Sequence, residues 1–221
     1  MSNPNLLEPE PEPEPRWPGL VAILAVAGLN FVLPPSLRPG PPWVVMVLVV
    51  FFTTPGIVSH RLGKYALAHS FGYAALGIVT VAMVVSLTLL VAGLMMHTET
   101  PSQLLLSATL LWVSNILVFA SWYWRLDAGG PHQRDLQRGH KDGAFLFPQM
   151  TLDEELRREM GEENWRPGFV DYLFLAFNTS TAFSPTDVPV LSRWAKGLMM
   201  VQAAISLATL ALLAARAVNI L

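Results

Sequence analysis

The sequence predicts an all-α fold: a polytopic integral membrane protein of five transmembrane helices plus a C-terminal re-entrant, pore-loop-like segment. Three observations carry this. Residues 17–37, 39–59, 70–96, 100–124 and 197–215 contain no Lys, Arg, Asp or Glu, and each run is long enough to cross a hydrocarbon layer about 30 Å thick. Half the chain (52%) is hydrophobic and only 14% charged, which is not the balance of a soluble domain. The stretch from Phe169 to Pro189 is apolar yet rich in hydroxyls at its end. A helix filling the fifteen residues between Asp171 and Asp187 would reach only about 22 Å.

Taken in order, residues 1–16 carry alternating Glu and Pro from Glu8 to Pro15. Such a run neither closes helical hydrogen bonds nor builds a core, so it predicts a disordered, polyproline-II-like tail. Its acidity is the opposite of a signal peptide's positive n-region, so the first apolar run is expected to remain as a span. The four-helix transmembrane region covers 17–124. The first span, about 17–34, ends at Pro34-Pro35. The second, about 42–59, carries Trp43 at one boundary and Pro55-Gly56 near the other. The basic turn from His60 to Lys64 leads to the third span, about 71–96. The fourth, about 102–124, ends on Trp122-Tyr123-Trp124, which reads as an interfacial anchor.

Residues 125–167 form the polar extramembrane loop, with seven of the chain's 14 basic and nine of its 16 acidic side chains. Asp127-Ala-Gly-Gly-Pro131 is turn chemistry, and Phe145-Leu-Phe147 is an apolar patch suited to an interface. Thr151-Leu-Asp-Glu154 reads as a capping box opening a helix to about Met160, with Asp153–Arg157 and Glu154–Arg158 as helix-spaced charge pairs. The last span, about 195–219, is rich in Ala203, Ala204, Ser206, Ala208, Ala211 and Ala214. Small residues permit close helix approach, either at an oligomer's centre or within one chain.

Residues 169–187 end in a proline-broken, polar turn, tolerated at membrane depth only where protein buries it or water meets it. The candidate pore-lining residues are Thr179, Ser180, Thr181, Ser184 and Thr186, whose hydroxyl oxygens could replace an ion's hydration. Asp187 would give a ring of negative charge if several chains assemble. The plain alternative for Asp187 is an interfacial turn cap.

This stretch resembles the pore helix and filter of two-helix potassium channels. Phe169 and Asp171 fall where those channels carry Phe and Asp, Thr179-Ser180-Thr181 match the hydroxyl-rich helix end, and Asp187 matches the acid closing the filter. The resemblance covers about fifty residues and implies a tetramer and monovalent cations as partners. Where those channels have Thr-Val-Gly-Tyr-Gly, this chain has Ala182-Phe-Ser-Pro-Thr186. Glycine frees the backbone to point carbonyls at an ion, so potassium selectivity does not carry over. The whole chain is similar to an uncharacterised bacterial family of predicted integral membrane proteins. The matching pieces are Trp124-Arg-Leu-Asp-Ala-Gly-Gly-Pro131, Phe145-Leu-Phe-Pro-Gln149, Trp165-Arg-Pro-Gly-Phe-Val-Asp-Tyr172 and Phe177-Asn-Thr-Ser-Thr-Ala-Phe-Ser-Pro-Thr-Asp187. That resemblance implies a bacterial inner membrane and no particular activity.

Five spans and a re-entrant loop put Arg16, Arg61, Lys64, Arg193 and Lys196 on one side, which the positive-inside rule makes cytoplasmic. If residues 168–187 cross fully, there are six spans and both chain ends are cytoplasmic; the rule still broadly holds. A net charge of −2 argues against nucleic acid. The absence of Cys excludes disulfides and thiolate sites. No hydrolase, zinc-protease or P-loop motif is present, so no catalysis, cofactor or metal is expected. His60, His69, His97, His132 and His140 lack ligand spacing. Two functional readings stand side by side: an oligomeric cation channel with a non-standard filter, or a non-conducting scaffold acting through residues 125–167. A transporter with paired broken helices is a third, without a convincing internal repeat.

Overall fold

The computed structural model describes residues 13–96, 100–137, 140–183 and 187–220. Eight α-helices run in order: α1 (Trp17–Val32), α2 (Trp43–Arg61), α3 (Tyr65–Met96), α4 (Pro101–Leu126), α5 (Pro131–Leu136), α6 (Glu154–Glu159), α7 (Phe169–Ala182) and α8 (Arg193–Ile220). Among the described residues the only strand-like pairing is a single antiparallel bridge, Phe145 to Val190. The expectation of an all-helical chain holds.

Four of these helices, α2, α3, α4 and α8, are long and apolar enough to cross a membrane, which makes this a multi-pass membrane protein. The expected first span is shorter: α1 has 16 residues, about 24 Å. Its stop is local. Leu33 precedes Pro34 and leaves the helix extended (φ −56, ψ 147), because a proline ring crowds the helical conformation of the residue before it. In α2, by contrast, the helix runs through Pro55. Thr53 and Thr54 donate to the carbonyls of Val49 and Val50 at 2.8 Å, so hydroxyls as well as amides serve the backbone there. At α4 the start is capped reciprocally by Thr100 and Gln103.

Contacts between helices give their directions. Gly19 at the start of α1 lies against Trp124 near the end of α4. Further on, Asn30 of α1 meets Ser86 of α3 at 3.4 Å. At the end of α2, His60 packs edge-on against Tyr65 at the start of α3. The start of α8 lies there too, with Trp194 against Phe145 (6.1 Å). One end of the bundle therefore gathers the starts of α1, α3 and α8 and the ends of α2 and α4. Arg16, Arg61, Lys64, Arg125, Arg193 and Lys196 all lie in these terminal turns or beside them.

Of the four long helices, α4 is the most buried and α2 and α8 the least. That position overturns the reading of Trp122-Tyr123-Trp124 as a lipid-facing anchor: Tyr123 and Trp124 are buried core residues. The loop after α4 folds back under the bundle. Phe145 and Phe147 are buried rather than interfacial, stacked edge-on against Tyr172 at 6.2 and 5.4 Å. The expected capping box at Thr151 is also corrected. Thr151 closes a 3-10 turn over Pro148–Thr151, and the α6 cap is Asp153, which accepts from the Leu156 N–H at 2.8 Å. Gly161 ends α6 in the left-handed region (φ +72), just after Met160, where the sequence predicts the helix to stop.

Residues 1–12 of the expected disordered tail lie outside the described residues. Residues 13–16 are held: Glu14 N–H donates to Asp135 (3.0 Å), and Arg16 pairs with the same carboxylate.

The contact between α1 and α4 is testable. A Cβ added to Gly19 would sit 2.6 Å from the Trp124 ring, whereas Gly28 has open space. Gly19→Ala is expected to destabilise the protein by about 1–3 kcal/mol through overpacking. Gly28→Ala should change stability by less than about 0.5 kcal/mol. Thermal unfolding of both variants in detergent checks this.

Candidate functional site

α7 carries the hydroxyl-rich motif, and its sequence explains how it inserts. Gly168 opens the helix in extended geometry, and its N–H donates to Asp171 Oδ2 at 2.8 Å, so Asp171 satisfies an orphan donor of the first turn. Burial raises the Asp171 carboxyl above the usual aspartate range, and the bond from Gly168 opposes that rise. Tyr172, Leu175, Ala176, Thr179 and Ser180 form the buried stripe at helical spacing. Val170, Phe174, Phe177 and Thr181 form the exposed one.

α7 runs antiparallel to α4. Phe169 packs against Trp124 (5.7 Å) and Phe177 against Trp112 (6.3 Å). The eight residues of α7 between these contacts descend about 12 Å along α4, and the helix ends at Phe183, which adopts the left-handed conformation (φ 54). α8 lies beside α7 and points the same way: Gln202 Nε2 donates to Ala176 O (2.7 Å), and Ser206 meets Ser180 (2.5 Å). After α7 the chain comes back to its starting level. Leu146 N–H donates to Pro189 O (3.0 Å) and Leu191 N–H to Ala144 O (2.8 Å), beside the start of α8.

A network of side chains in the bundle interior holds this arrangement. Tyr123 OH donates to Gln202 Oε1 (2.5 Å), and Asn115 Nδ2 donates to Ser206 Oγ (2.6 Å) and Gln202 O (3.3 Å). Asn115, Gln202, Ser206 and Ser180 are all buried. Buried amides in an apolar bundle must find partners, and here they tie α4, α7 and α8 together. Asn115 Oδ1 remains without one.

A second polar knot sits where α4 ends. Asp127 is fully buried. Its Oδ1 accepts the Ala144 N–H (2.5 Å), and its Oδ2 accepts Tyr172 OH (2.7 Å) and lies 2.8 Å from His140 Nε2. Burial pushes the Tyr172 hydroxyl well above the ordinary tyrosine range, and the Asp127 charge adds to the rise. The tyrosine therefore stays protonated and donating. Arg134 reaches the Trp124 and Asp127 carbonyls (2.8 and 2.9 Å), pairs with Glu14 (2.8 Å), and covers the Tyr172 ring. Glu14 also accepts from the Trp124 indole.

The candidate residues separate. Thr179 is buried and donates to its own Leu175 O (2.8 Å). Ser180 is buried and faces Ser206. Thr181 is exposed and donates to Phe177 O (3.0 Å). Asp187 is exposed, about the level at which the chain comes back. Ser184 and Thr186 lie outside the described residues. Of the candidates placed, Thr181 and Asp187 are exposed and Thr179 and Ser180 are buried, and the hydroxyls of Thr179, Ser180 and Thr181 are all bonded within the chain. Sequence reasoning passed over Asn115, Gln202 and Arg134. The amides had a readable signal, because a lone amide inside a charge-free span is an expected interhelical bond. Among the described residues no group of three or more His, Asp or Glu is placed to hold a metal.

No family model, no curated protein and no solved structure matches this chain.

If the Asn115–Ser206 bond clamps α4 to α8, Asn115→Ala and Ser206→Ala should not be additive. A double-mutant cycle on thermal or denaturant stability is expected to give a coupling of about 0.6–1.7 kcal/mol. Tyr172→Phe should cost about 1–3 kcal/mol, because it leaves a buried Asp127 oxygen short of a donor.

Proposed function

We propose that the protein is an oligomeric cation pore in a bacterial inner membrane, built on a re-entrant hairpin. The observation that carries this reading is the parallel course of α7 and α8 from the same end of the bundle, followed by the return of the chain at 187–191. α7 has 14 residues, about 21 Å, too short to cross a layer of about 30 Å. In this reading α1 is a fifth span, completed by the 3-10 turn at Pro35–Leu37. The end carrying Arg16, Arg61, Lys64, Arg193 and Lys196 is cytoplasmic, and the hairpin enters from that side. Copies of the chain, four by analogy with two-helix channels, bring Thr181 and Asp187 towards a shared axis, where a carboxylate ring favours monovalent cations.

The internal bonding of Thr179 and Ser180 supports a second reading. Two of the hydroxyls that resemble a channel's filter entrance serve the bundle itself, as they would in a non-conducting scaffold. Such a scaffold would offer the exposed part of residues 125–167, including α6, to a partner.

Purified protein in liposomes decides between them. The pore predicts protein-dependent monovalent-cation flux, with Asp187→Asn lowering rate or selectivity by about tenfold, in keeping with loss of a charge ring. Folded protein that passes no cation at any voltage overturns the pore. The scaffold then remains, and its loss of Asp187 is without consequence.

A further inference from the structure

Arg125 occupies the last turn of α4, and among the described residues its charge has no acidic partner. Its guanidinium lies across Gly72 of α3: a Cβ there would be 2.3 Å from Nη1 and 2.9 Å from Nη2. The Trp124 ring flanks it (5.5 Å), and Tyr73 OH binds the Arg125 carbonyl (3.1 Å). Arg125 Nε is buried with no acceptor, and the side chain enters no ion pair among the described residues. One turn away on α3, His69 Nε2 is likewise buried without a partner, against the bare face of Gly130. The neighbouring arginines differ: Arg134 pairs with Glu14 and Arg16 with Asp135.

The Arg125 side chain is partly exposed, its Nε is buried without an acceptor, and among the described residues no carboxylate pairs with it; an anion would supply what it lacks. Its planar fork suits phosphate oxygens. The glycine at position 72 leaves the space that a packed guanidinium needs, and the same end of the bundle carries the basic residues of an interfacial belt. We propose that Arg125 and His69 form an anion site for a phosphate group, where the first turns of α3 meet the end of α4. The source is an anionic phospholipid headgroup at the membrane surface or a free phosphate. The site stands apart from the hairpin and does not depend on conduction.

The test uses delipidated full-length protein in neutral detergent, titrated separately with phosphatidylglycerol, phosphatidylcholine and inorganic phosphate, reading thermal stability and a dissociation constant. Wild type should be stabilised saturably by phosphatidylglycerol and not by phosphatidylcholine. Arg125→Gln should weaken that binding about tenfold or more, the size expected for a charge-assisted hydrogen bond. Gly72→Ala keeps the charge but fills the cradle, and should weaken it as well. It decides the matter if Arg125→Gln does not fold. Arg61→Gln, at the same end but away from the Arg125–Gly72 contact, should change binding by less than about twofold. Saturable stabilisation by inorganic phosphate alone, lost in the same variants, assigns the site to free phosphate. Absence of saturable binding by wild type overturns the proposal. So does equal weakening by Arg61→Gln, or binding that Arg125→Gln and Gly72→Ala leave unchanged.

Discussion

The hydrogen bond from Tyr172 to Asp127 ties together the parts of this chain that its sequence keeps far apart. Asp127 closes α4, Tyr172 lies in the first turn of α7, and Ala144 belongs to the loop between them; one buried carboxylate accepts from both. A carboxylate in the interior is tolerated only when its oxygens are bonded, so the site enforces its own geometry. Arg134 and Glu14 extend the same knot to the segment before α1. The depth at which α7 begins, and therefore the depth at which it ends, follows from this anchor.

Below the knot, α7 is positioned by a different kind of contact. In a bilayer the hydrophobic effect does not distinguish a helix face packed on protein from one packed on lipid, so polar bonds and close packing set the pairing. Gln202 and Asn115 supply the polar bonds, each from a helix otherwise without charge at that level. The exposed stripe of α7, Val170–Phe174–Phe177, and the outer face of α8 with Met200, Val201 and Leu207 remain apolar, as a lipid-facing or chain-facing surface requires.

The last turns of α4 illustrate what position does to a residue type. Trp122-Tyr123-Trp124 has the composition of an interfacial belt, yet α4 is the central helix, and two of these rings are enclosed by α1, α7 and the returning loop. Phe145 and Phe147 are drawn into the same enclosure. Aromatic side chains suit either a wet boundary or a core, and nothing in the residues themselves tells which surface will cover them.

The existence and type of the long helices were legible in the sequence, because charge-free runs of this length have few other solutions once backbone groups must bond internally. So were the stops at Pro34 and Gly161, which act through their own dihedral limits. The short helix opening the stretch from Phe169 was legible too, from an apolar run too short to cross a bilayer. The division of its hydroxyls was not: Thr179 and Ser180 face inward and Thr181 outward because α8 lies on one side of α7. The pairing of Asp127 with Tyr172, and the exposure of Arg125 to Gly72 rather than to an acid, likewise join residues 45 and 53 positions apart. Local chemistry by itself determined which segments are helical and membrane-compatible. Which polar group meets which was decided only by tertiary structure, since a hydrogen bond depends on a partner that sequence spacing does not locate.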